Sequence, residues 1–199
     1  LNKGGEGVND VVNSGAAVSI TASDEEESGT STDYAGNITV DGNVIGATTA
    51  TLESTNGSVS LTGNLTANNG LAKIAASDSS DDGVEGVGDI TVNGNVKAAT
   101  TAEISTDQGN ITVGTAAATA PSTTTAAPVT ITSGSGLTVE ATKSGDINVT
   151  GKLVTADDAT VEGITTGDVN VKTAAGDIVL NYGTGDDKDV VNSSKAALV

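Results

Sequence analysis

The chain has 199 residues, with eight Lys and no Arg against 26 acidic side chains, for a net charge of −18. It holds no Cys, His, Phe, Trp or Met, and Tyr34 and Tyr182 are its only aromatics. This balance argues against nucleic acid and anionic membrane as partners, because both are held by basic residues that displace counterions. A disulfide scaffold is excluded, and no run of about 18 apolar residues exists to span a bilayer. The start at Leu1, without a leader, reads as that of a mature or excised segment. An acidic chain rich in Gly, Ser and Thr has the composition of a disordered protein. The regular spacing of β-branched residues argues the other way.

In chain order, the first patterned stretch is DVVNSGAAVSITAS at Asp10–Ser23, followed by an acidic insertion, DEEESGTSTDYA, at residues 24–35. From Gly36, GNITVDGNVIGATTATLESTNGSVSLTGNL aligns without gaps with GDITVNGNVKAATTAEISTDQGNITVGTAA from Gly88, an offset of 52 residues. A third copy, GDINVTGKLVTADDATVEGITTGDVNV, begins at Gly145. Each copy opens on Gly, a polar residue, an aliphatic, a small polar residue and a second aliphatic. The same opening recurs at Gly57, Gly109, Gly167 and Gly176, so successive openings lie 21, 31, 21, 36, 22 and 9 residues apart. A unit of about 21 residues, lengthened by insertions, accounts for most of these intervals. The predicted insertions are residues 24–35, 78–87 and 115–128, the last holding both prolines.

Within a unit, apolar and polar residues alternate. Ile38 and Val40 fall on one face while Asn37, Thr39 and Asp41 fall on the other, the period of a half-buried strand. Val44, Ala50 and Leu52 extend the inward set; their counterparts are Val96, Ala102 and Ile104, then Leu153, Ala159 and Val161. Gly-Asn and Asp-Gly steps supply bends, and no segment keeps a helical period. One unit has too few aliphatics for a core of its own. Units are therefore expected to stack, each strand pairing with its equivalents about 4.8 Å above and below. The predicted fold is all-β, a parallel β-helix (β-solenoid) of about seven coils of roughly 21 residues. It forms a single segment over residues 1–199 with loop insertions. A narrow interior of Val, Ile, Leu and Ala leaves little room for rings, which accounts for the missing aromatics. A β-sandwich of short strands is the alternative, and gap-free similarity at a 52-residue offset favours the solenoid.

These coils, GDITVNGNVKAATTAEIS and GNITVDGNVIGATTATLES above all, resemble those of filamentous-haemagglutinin-type adhesins. Those are large bacterial exoproteins of two-partner secretion, and the coils are also similar to those of autotransporter passengers. The likeness covers most of Gly15–Gly183. It implies an extracellular or cell-surface adhesin shaft, whose loops meet glycans or proteins of host or neighbouring cells.

Two features invite a chemical reading. Asp78, Ser80, Asp82 and Gly83 stand at positions 1, 3, 5 and 6 of an EF-hand-like loop, with Asp89 at position 12. Calcium is the ion such a loop would take, with Asp78, Ser80, Asp82 and Asp89 as candidate ligands. The competing reading is a solvated acidic turn, since position 12 is ordinarily Glu and no flanking helices are expected. Asn-x-Ser/Thr occurs at Asn37, Asn56, Asn64, Asn110, Asn148 and Asn192, little more often than chance gives in a chain this rich in Asn, Ser and Thr. No enzyme is expected. Parallel β-helices that cleave pectin pair carboxylates with Arg, Lys or His, and Arg and His are absent here. Acid pairs such as Asp157 and Asp158 sit in turns with no apolar pocket to raise a pKa. Apart from the candidate calcium, no cofactor is implied.

Finally, DVVNS occurs at Asp10–Ser14 and again at Asp189–Ser193; DVVNSGAAV and DVVNSSKAAL align with one inserted residue. If both copies form the same coil, the coil series continues covalently or copies of the chain stack end to end.

Overall fold

A strand that alternates β-branched and polar residues has one face to bury and two edges of unpaired backbone to satisfy. The computed structural model meets both needs by stacking parallel strands. It describes residues 1, 10–23, 36–77, 88–114, 129–155, 169–181, 190–192 and 197–199. The three predicted insertions, and with them Asp78, Ser80 and Asp82, lie outside the described residues. Among the described residues there is no helix.

The strands form three stacks. Sheet A consists of Ile38–Asp41, Val59–Thr62, Ile90–Val92, Ile111–Val113, the first half of Ile147–Thr155 and Ile178–Asn181, all parallel. Sheet B runs through Asp10–Ser14, Asn43–Gly46, Leu65–Ala67, Val96–Ala98, Val129–Ser133, the second half of Ile147–Thr155 and Val191–Asn192. Sheet C holds Val18–Ser23, Ala50–Thr55, Ala72–Ser77, Thr101–Gln108, Gly136–Ser144, Val169–Thr173 and Ala197–Leu198. Since Ile147–Thr155 passes from A to B unbroken, the two make one twelve-stranded sheet of described residues, beside seven strands in C. From Gly36 onward the chain visits A, B and C in turn and returns to A one strand further on. This is a solenoid-like parallel β structure.

Register places like on like. In sheet A, Ile38, Val59, Ile90, Ile111 and Ile147 form one inward file. Val44, Leu65, Val96, Ile131 and Leu153 do the same in sheet B, and Leu52, Ile74, Ile104, Val139 and Val171 in sheet C. All fifteen are buried. The three files meet to form one aliphatic core. Of the residues expected to face inward, Ile38, Val40, Val44, Ala50, Leu52, Val96, Ala102, Ile104 and Leu153 are buried. Ala159 and Val161 lie outside the described residues.

One expectation is corrected. The GDVNV opening at Gly167 reads as the start of a new unit, yet Val169–Thr173 belongs to sheet C, between Gly136–Ser144 and Ala197–Leu198. Alternation decides which side chains turn inward, and Val169 and Val171 do so. Which sheet they join depends on what they stack upon, here Leu137 and Val139. The remaining openings, at Gly36, Gly57, Gly88, Gly109, Gly145 and Gly176, each precede a strand of sheet A.

Few polar side chains of the described residues enter the core, and hydroxyls at its margin close a coil upon itself. The hydroxyls of Ser54, Thr106 and Thr173, at the ends of sheet C strands, donate to the carbonyls of Gly36 (2.6 Å), Gly88 (2.7 Å) and Gly145 (2.8 Å). Ser133 is the exception. Its buried Oγ, in a file with Ala98 and Thr155, has no partner among the described residues. Burying an unpaired hydroxyl costs free energy that a methyl group does not. Ser133→Ala is therefore expected to stabilise the chain by about 1 kcal/mol, measured as a higher urea midpoint; a lower midpoint would mean that the hydroxyl has a partner.

Candidate functional site

The outer surface is set by the other half of each alternation. On sheet A, Thr39, Ser60, Thr91, Thr112 and Asn148 stand in register as a single outward file. On sheet C several outward residues are charged and pair between successive strands: Lys73 with Glu53 (3.6 Å), Lys143 with Asp107 (3.1 Å) and Lys172 with Glu140 (2.8 Å). Pairs this exposed contribute little each. They do keep like charges from stacking in file.

The most ordered polar arrangement lies at the corners. At the entry to sheet A, the backbone N–H of Ser58 donates to Asn37 Oδ1 (2.8 Å), and that of Asn110 to Asp89 Oδ1 (2.6 Å). The N–H of Asp146 then donates to Asn110 Oδ1 (2.9 Å), and that of Asp177 to Asp146 Oδ1 (2.8 Å). A second ladder runs between sheets A and B. There Asn43 Nδ2 donates to Asp10 Oδ1 (3.2 Å), and the N–H of Asn64 to Asn43 Oδ1 (3.1 Å). The N–H of Asn95 donates to Asn64 Oδ1 (3.0 Å), and that of Thr130 to Asn95 Oδ1 (2.8 Å).

These ladders exist because the chain turns at each corner, where the backbone N–H meets a side-chain oxygen of the preceding coil in place of a carbonyl. A short side chain ending in an acceptor fills the gap. Asn and Asp serve alike, since only an oxygen is required. Taken one at a time, the Gly-Asn steps are bends and nothing more. The recurrence of Asn or Asp straight after the opening glycine, at residues 37, 89, 110, 146 and 177, is the signal that could have revealed the ladder.

The ladder also bears on the other candidate roles of its members. Asp89, the proposed twelfth ligand of a calcium loop, has Oδ1 engaged by the Asn110 N–H. Its proposed co-ligands Asp78, Ser80 and Asp82 lie outside the described residues. Among the described residues, no group of three or more acidic side chains is gathered as a metal site. The sequon residue Asn64 is held at both ends of its amide, its Nδ2 donating to Asn43 Oδ1 (3.0 Å) while its Oδ1 accepts from Asn95. This geometry gives Asn64 a structural task.

If the side-chain oxygen is what matters, Asn95→Asp will be tolerated while Asn95→Ala loses about 1 kcal/mol. Urea denaturation of the two variants checks this, and equal losses would remove the acceptor argument.

The described residues carry nine of the 26 acidic side chains and five of the eight lysines, a net −4. The other −14 of the −18 lies in the stretches outside them. Two of these stretches, 24–35 and 78–87, follow Val18–Ser23 and Ala72–Ser77, which flank Ala50–Thr55 in sheet C. Their points of departure are thus two strand spacings apart, about 10 Å. The described surface offers flat polar sheet faces and laddered corners, and the excess acid is concentrated in the segments leaving them. Comparison with protein-family models, with curated proteins and with solved structures finds no match to this chain.

Proposed function

We propose that this chain is a non-enzymatic structural and adhesive β-solenoid of about seven coils, working outside the cell as the shaft of a surface adhesin. The observation that carries the reading is the continuity of three parallel sheets and their inward files along the described residues. Such an architecture builds length. At about 4.8 Å per coil, seven coils give a stack about 34 Å long. Support for the surface role comes from the likeness of the GDITVNGNV-type coils to filamentous-haemagglutinin repeats. A chain without His, Cys or Arg also has few means of acid–base or nucleophilic catalysis.

In this reading the shaft spaces and displays the inserted segments, which meet glycans or proteins of host or neighbouring cells. The test is adhesion of beads coated with the chain to cultured cells. Replacing residues 24–35 and 78–87 by short Gly-Ser turns should reduce attachment at least tenfold and leave the β-type circular dichroism unchanged. Intact chain that attaches no better than bare beads would overturn the adhesive role.

A further inference from the structure

The two DVVNS segments meet the rest of the molecule in the same way. Val12 stands opposite Val44 and Val191 opposite Leu153, so both belong to one inward file of sheet B. Val18 stands opposite Ala50 and Ala197 opposite Val169, at the two ends of sheet C. Both pairs are 179 residues apart (191 − 12 and 197 − 18), so the copies correspond without the inserted residue that the sequence alignment introduced. Val12 and Val191, which fall at the same place in the two pentapeptides, thus stand in the same register at opposite ends of sheet B.

Inward-facing apolar side chains are left partly open at these ends. Val12 and Ile20 at one end, and Leu180 and Val191 at the other, are only partly buried. Interior members of the same files, such as Val44 and Leu153, are closed completely.

We propose that a second copy of this chain covers each end. The last coil of one copy takes the first coil of the next, strand on parallel strand, setting Val191 against Val12 and Ala197 against Val18. The proposal rests on the solenoid reading above. A copy fits better than an unrelated partner because each end then meets a coil of the kind it already contacts within the chain, in the same files. The contact uses different surfaces on the two partners and does not close, so it propagates as a filament. Edge backbone groups gain partners along the way. Since each copy carries −18, the association strengthens as salt screens the repulsion.

The chain has no cysteine, so crosslinking reports the junction directly. Asn13 and Asn192 occupy the same place in the two pentapeptides, next to Val12 and Val191. In a stacked pair they lie on adjacent strands about 4.8 Å apart, inside the range of about 4.4–6.8 Å that a disulfide spans. Within one chain they are six strand spacings apart in sheet B, about 29 Å, beyond reach. Oxidising an equimolar mixture of Asn13→Cys and Asn192→Cys chains should give a covalent dimer joined between positions 13 and 192. The double variant should give a ladder of oligomers, and the unmodified chain should sediment faster with concentration and with salt. An unmodified chain that stays monomeric throughout, or crosslinks between positions 13 and 192 no more frequent than 13–13 and 192–192, would overturn the stacking. A β-type circular dichroism spectrum accompanying those failures leaves the solenoid reading standing; a helical or coil spectrum removes both.

Discussion

Replacing Ile90 with Asp is expected to destabilise the fold by about 4 kcal/mol or more, while Thr91→Asp, one residue further on, costs less than about 1 kcal/mol. Ile90 is fully buried between Val59 and Ile111 in the inward file of sheet A. A carboxylate there finds only aliphatic neighbours, so it remains an unpaired charge or takes up a proton, and both cost free energy. Thr91 belongs to the outward file between Ser60 and Thr112, where water solvates the new charge. Urea unfolding followed by circular dichroism measures both variants. Equal losses would mean that the faces of sheet A are reversed.

A second large effect is expected at Gly145. Its φ of +135° is a conformation that side chains rarely adopt, and a Cβ added there would overlap the carbonyl oxygen of Gly109 in the coil before. Neither constraint can be relaxed alone, because Gly109 is a corner glycine of the same kind with φ +137°. Gly145→Ala should cost about 2–4 kcal/mol. Gly15 provides the control, since a Cβ there meets nothing within 4 Å. Gly15→Ala should be neutral or stabilise by up to about 1 kcal/mol. Matching thermal shifts in the two variants would show that corner stacking is not what demands glycine.

The parallel sheets and their inward files were largely legible in the sequence because alternation of Val, Ile and Leu with small polar residues leaves one solution for each strand. Ile38, Val40 and Leu52 had to face the core, and they do. What alternation does not encode is the sheet to which a strand belongs. Val169–Thr173 has the same local pattern as Ile38–Asp41, yet joins sheet C, because stacking on Gly136–Ser144 settles the matter from a distance in sequence. The corner ladders were hidden for a related reason. Asn43 and Asn64 each look like an ordinary turn residue, and their shared role emerges only when coils 21 residues apart are superposed. As for the candidate calcium ligands, Asp89 alone falls among the described residues, and its link to the ladder is a relation between coils that loop spacing does not contain.

The hydrogen bonds between neighbouring strands of A, B and C join successive turns of the chain, so they point along the stack. Pulled by its two ends, such a molecule loads these bonds in sequence and yields turn by turn, starting from whichever end is weaker. A turn of 21 residues, such as 36–56, releases at most about 70 Å of slack as it opens. A tether made this way lengthens in discrete steps under load and can shorten again when the load falls. In the adhesive role proposed above, that compliance would limit the peak tension reaching the site of attachment.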